Sequence, residues 1–146
     1  MKAADTAVEL FEGGCACSQA VLGAFAPRFG MDTGQALRVS TCFAGGMRRA
    51  ETCGAVTGAL MVIGLATAGD GCRTADGRGP AYATGAAFTD AFRLAHGALE
   101  CRTLLGCDVT TEDGKRFATE RNLTKTLCPQ FVRSAAEWLD TSLPRE

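Results

Sequence analysis

The chain has 146 residues, 47% apolar and 21% charged, with a formal net charge of −1. That length suits one domain spanning residues 1–146 with its own core, and the composition does not indicate a disordered chain. A near-neutral charge without a basic stripe leaves no footprint for nucleic acid.

Taken in order, the periodicities are helical nearly throughout. Ala4, Ala7, Val8 and Phe11 recur at helical spacing until Gly13-Gly14 ends the segment. Cys17, Ala20, Val21, Ala24 and Phe25 share one face of a second helix, which Pro27 stops. Asp32 or Thr33 caps a third, carrying Ala36, Leu37, Val39 and Cys42 and closed by Gly45-Gly46. Thr52 is the expected cap of a fourth helix over about 53–68, apolar all round and so placed at the centre of a bundle. Its longest apolar run, Ala55 to Ala68, is too short to cross a bilayer, and no membrane span is expected. Asp70 to Gly79 reads as a polar, glycine-rich loop. Pro80 then suits the first turn of a long helix with Phe88, Phe92, Ala95 and Leu99 on one face, broken at Gly97. A short segment, Leu99 to Leu105, holds Cys101, and a charged stretch runs around Glu112 to Glu120. Cys128-Pro129 opens a last helix with Phe131, Ala135, Trp138 and Leu139 inward. No β-alternation persists, so the fold expected is an all-α bundle of about five to seven helices around the central apolar one.

Cysteine is the outlier, with eight: 15, 17, 42, 53, 72, 101, 107 and 128. A chain able to stabilise itself by burial, whose N-terminus leads into an amphipathic stretch rather than a signal core, points to a cytoplasmic protein using cysteine for metal or redox chemistry. No CxxC occurs, so thioredoxin exchange, zinc-ribbon pairs and haem attachment lack their signature, and any site must be assembled from distant segments. Cys17, Cys53 and Cys128 each fall near a helix start, and Cys101 beside the start of a short helix. Free N–H groups there favour thiolate over thiol. Cys42 reads as a small core hydrophobe, Cys72 as exposed and idle, and Cys15 and Cys107 stay undecided. His96, the single histidine, reads as structural, and Arg48-Arg49, after Gly45-Gly46-Met47, as a solvated turn in preference to an anion contact.

The string Gly14-Cys15-Ala16-Cys17-Ser18-Gln19-Ala20-Val21 resembles the G-x-x-C-[AS]-Q-A-V segment of a bacterial and archaeal family assigned a redox role and labelled by its C…GCAxxG…C…C pattern. Cys53-Gly54-Ala55-Val56-Thr57-Gly58 resembles its CGAxxG core, after a glycine-rich stretch from Phe43 to Met47. Cys101 to Gly106 matches a C-x-x-L-L-G element, and Cys128 falls at the last cysteine. A departure is Thr52, where the family label has glycine before the cysteine. The family is similar to the cluster-bearing part of split-Soret cytochromes c, although no haem-attachment motif is present here. The resemblance implies an iron–sulfur centre, [2Fe–2S], ligated by Cys17, Cys53, Cys101 and Cys128.

Three readings follow, in order of preference: a [2Fe–2S] electron-transfer module, a metal-free thiol–disulfide oxidoreductase with Cys17 or Cys53 attacking, and a structural zinc-thiolate bundle. Gly54, next to Cys53, is assigned to the cofactor, and Gly58, one turn on, to helix packing. An unidentified redox protein is the expected partner, and small residues on apolar helices fit a homodimer.

Overall fold

A computed structural model describes residues 2–144. The described residues form nine α-helices: α1 (Ala3–Glu12), α2 (Cys17–Phe25), α3 (Thr33–Val39), α4 (Gly54–Thr67), α5 (Gly79–His96), α6 (Cys101–Leu105), α7 (Glu112–Glu120), α8 (Leu123–Thr126) and α9 (Cys128–Ser142). The all-α expectation holds, but the count exceeds five to seven. The surplus comes from short pieces such as α6 and α8, which span too few residues to display an apolar period. The charged stretch 112–120 is itself a helix, α7. It turns Gly114 and Ala118 inward, and the Thr111 hydroxyl accepts the Gly114 N–H at 2.9 Å. Among the described residues no helix is long and apolar enough to cross a membrane.

Local signals explain most boundaries. The Gln19 side chain accepts the Ala16 N–H at 2.9 Å and closes the start of α2. Pro27 turns its end into a 3₁₀ segment, Ala26–Phe29. The Asp32 carboxylate accepts the Gly34 N–H at 2.8 Å and the Gln35 N–H at 3.3 Å, capping α3. Pro80 sits in the first turn of α5, and Gly97 ends it in left-handed backbone. The cap of α4 is Cys53 rather than Thr52, because Thr52 is engaged in an antiparallel bridge to Glu100.

The apolar helix α4 does lie inside, yet it shares the centre with α2. The two pack side by side, with α1, α3 and α9 around α2 and with α5 and α9 against α4. Leu22, Phe25, Val56, Val62, Ile63, Phe88, Val132 and Leu139 are almost wholly buried. Each such side chain contributes on the order of 1.5–3 kcal/mol by leaving water. Ion pairs clip the rim, Asp5 with Arg133 at 3.1 Å and Arg28 with Asp140 at 3.5 Å. Their partial exposure limits each to roughly 0–1 kcal/mol. Cys42 is exposed, contrary to its expected place in the core, because α3 stops at Val39 and the chain turns away through a 3₁₀ segment, Thr41–Phe43.

Candidate metal centre

Each of the four cysteines singled out above stands at the start of a helix. Cys17, Cys101 and Cys128 are the first residues of α2, α6 and α9, and Cys53 is the cap of α4. All four line one cavity of about 330 Å³. Cys53 and Cys101 are buried, whereas Cys17 and Cys128 are half-buried. Cys15 does not line it, and Cys42 and Cys72 lie exposed elsewhere. Cys107 is half-buried and within electrostatic reach of Cys101 and Cys128. His96 is remote from the cavity lining. Its ring packs 4.5 Å from that of Phe92 and 5.1 Å from that of Phe131, with a buried Nε2 that has no partner.

Two devices gather the sulfurs. The first is a miniature antiparallel pairing of segments 51–53 and 99–101. The Cys53 N–H donates to the Leu99 carbonyl at 2.8 Å, and the Cys101 N–H donates to the Glu51 carbonyl at 2.5 Å. Two cysteines distant in sequence are thereby held diagonally across the bridge, within electrostatic reach of each other. The second is the close approach of α2 and α4. A Cβ at Gly54 would stand 2.4 Å from Cys17 Sγ and 3.0 Å from the Ser18 nitrogen, and one at Gly58 would stand 2.8 Å from the Ser18 oxygen. The two glycines therefore let α4 press directly on the first turn of α2. The residues after Cys17 hold that turn from the other side. Ser18 donates through its hydroxyl to the Ser40 carbonyl at 2.8 Å, and the Gln19 amide donates to the Leu37 carbonyl at 3.0 Å.

A third wall comes from the glycine-rich stretch. Gly45, Gly46, Met47 and Arg48 all have left-handed backbone, with φ of 62°, 66°, 60° and 58°. For Met47 and Arg48 this costs roughly 1–2 kcal/mol each. The turn is held by the Glu51 N–H on the Gly46 carbonyl at 3.1 Å and by Arg102 Nε on the Ala50 carbonyl at 3.1 Å. It brings the Gly45 N–H to the Cys17 sulfur and Arg48 to the cavity wall. Arg48 is exposed, as expected of a solvated turn, and it also lines the cavity. Lys115 of α7 also lines the cavity and was not anticipated, because nothing in the sequence ties α7 to the cysteines.

Helix starts were expected to favour thiolates, but burial outweighs them. Desolvation pushes the Cys101 thiol up to about 11 and the Cys128 thiol up to about 12 from an ordinary 9.0. Cys53 is pushed up by burial and then by the neighbouring charges of Cys17, Cys101 and Cys128. Cys17 is raised by burial too, opposed by backbone N–H groups including those of Gly45, Ser18 and Gly54. Without metal these are thiols at neutral pH, and binding a cation would release their protons.

The consequence for stability has a definite sign. Below the unfolded value of 9.0 the thiols are protonated in both states; above it the unfolded chain loses protons that the folded chain retains. Metal-free protein is therefore expected to lose stability as pH rises from 9.0 through about 12. Urea midpoints taken across that range should fall, and a Cys101→Ser, Cys128→Ser double variant should fall less steeply. A flat profile in the unsubstituted protein would contradict the burial described here.

The donor set is chemically uniform: among the described residues the cavity lining holds four cysteines and no carboxylate or imidazole. Also among the described residues, no three Cys, His, Asp or Glu side chains stand close enough to hold one metal ion. A zinc ion would need its sulfurs at about 2.3 Å, so the cysteines would have to close in around it.

A family model described as "Putative redox-active protein (C_GCAxxG_C_C)" matches residues 15–142. No curated protein matches the chain, and no solved structure does. With the match covering nearly all of its length and all four cavity cysteines, the chain belongs to the C_GCAxxG_C_C family of putative redox-active proteins.

Proposed function

We propose that this is an electron-transfer protein that holds a [2Fe–2S] cluster through Cys17, Cys53, Cys101 and Cys128, with Gly54 leaving room beside it. The observation that carries the reading is the convergence of four helix-start cysteines on one cavity without carboxylate or imidazole. Soft thiolates select iron–sulfur centres, and such a centre supplies one-electron chemistry. The protein's own part is to hold the four sulfurs, direct the Gly45 N–H at Cys17 and keep the site largely dry. Metal-free thiol exchange is the weaker alternative, because burial raises the thiols of Cys17 and Cys53, the candidate attackers, and leaves little attacking thiolate at neutral pH. Electrons would pass to and from a partner redox protein, in a reducing cytoplasm that keeps the other cysteines as thiols. A homodimer belongs to the same reading, and sedimentation as a monomer would remove it.

Anaerobically purified protein is expected to be brown, with equal amounts of iron and acid-labile sulfide, two of each per chain. Four of each would substitute [4Fe–4S] on the same ligands. Colourless protein with stoichiometric zinc, or without metal but with a reducible disulfide, would overturn the reading.

A further inference from the structure

The four thiols account for a ligand set but not for the strained turn beside them or for the cation it carries. Gly45 to Arg48 form a left-handed turn in which two of four residues are not glycine. The Arg48 side chain folds back over Gly45, its Nη1 only 2.4 Å from where a Cβ on Gly45 would stand. Glycine at position 45 suits the left-handed φ of 62° there, and the long Arg48 side chain lies over it. Arg48 lines the cavity, whereas the adjacent Arg49 does not. Among the described residues Arg48 makes no ion pair, so its charge is not neutralised by a carboxylate. The remaining lining is sulfur, backbone, apolar side chains and the hydroxyls of Thr119 and Thr124, with Lys115 the other cation.

We propose that Arg48 is the charge-compensating residue of the thiolate centre, favouring the state in which that centre carries the most negative charge. The proposal rests on the iron–sulfur reading. A fixed guanidinium stabilises the product of one-electron reduction, in which iron(III) becomes iron(II). The electron comes from a reduced partner protein, and no covalent bond forms or breaks. Net charge and solvent exposure are recognised levers on such potentials. Since Arg48 is exposed, salt should weaken its effect.

The test compares Arg48→Gln, Arg48→Lys and Arg49→Gln with the unsubstituted protein. Glutamine and lysine keep a long side chain and the same left-handed strain, so the pair isolates charge. Iron and sulfide are counted first; the midpoint potential is then titrated by visible and paramagnetic resonance spectra. Arg48→Gln should retain the cluster and lower the ratio of reduced to oxidised centres at a fixed potential about tenfold, which is 59 mV for a one-electron couple. Arg48→Lys should recover most of that shift, Arg49→Gln should show none, and raising the salt should shrink the difference. Loss of the cluster in Arg48→Gln but not in Arg48→Lys, with unchanged circular dichroism, would also support a charge role, in assembly. Equal potentials at equal iron content would overturn the proposal while leaving the iron–sulfur reading intact. Loss of the cluster in both variants would overturn it in favour of a purely geometric role. Absence of iron and sulfide from the unsubstituted protein would overturn both together.

Discussion

Cys53→Ser is expected to reduce iron per folded molecule at least tenfold, while Cys72→Ser leaves it unchanged. The comparison is informative because serine is a favoured helix cap, and residue 53 is the cap of α4. Folding should survive or improve, so the loss reports on ligation. Even outer partners of metal ligands change affinity by about 10–100-fold, and Cys53 is a proposed ligand, buried among three other cavity cysteines. Cys72, by contrast, is exposed in the 3₁₀ turn Asp70–Arg73 and does not line the cavity. Iron assay beside circular dichroism on the same samples reads both quantities. Bleaching by Cys72→Ser without bleaching by Cys53→Ser would show that the sulfurs around this cavity are not the ligands.

Gly54→Ala and Gly58→Ala are expected to separate cofactor from packing, although the glycines lie one helical turn apart. At Gly54 the new methyl meets Cys17 Sγ at 2.4 Å and the Ala44 Cα at 3.3 Å, so the sulfur itself must move. Iron per folded molecule should fall severalfold, with helicity retained. At Gly58 the methyl meets the Ser18 oxygen at 2.8 Å and the Val21 Cβ at 3.3 Å, which forces α2 away from α4. Overpacking costs typically ~1–3 kcal/mol, and alanine's better helix propensity returns about 1 kcal/mol of that. The net loss of about 0–2 kcal/mol should lower Tm by up to about 6 °C in a chain of this size, with iron retained in the folded fraction. The reverse assignment, iron lost at Gly58 and Tm lost at Gly54, would mean that the geometry around Ser18 has been misread.

The long helices were legible because their signals are local. Asp32, Pro80, Gly97 and Cys128-Pro129 mark ends through caps, ring geometry and left-handed backbone, none of which needs a distant partner. The apolar run after Cys53 announced a buried helix for the same reason. Of the four cysteines, Cys128 has its helix start marked directly by such a signal, the proline that follows it.

What the sequence by itself determined, then, is an all-helical chain with cysteines at helix starts and family motifs in order. Periodicity and spacing could not determine which of the eight cysteines meet, although the family motifs named the four that line the cavity. Their meeting depended on the pairing of residues 51–53 with 99–101 and on the contact of α2 with α4, interactions between segments whose separation leaves no periodic trace. The same holds for Arg48, whose placement needs a left-handed turn braced by Arg102 from another part of the chain. The protonation of the thiols was likewise decided by tertiary structure. A helix start promises a stabilised anion, but burial among other sulfurs, visible only once the chain is folded, is the larger effect.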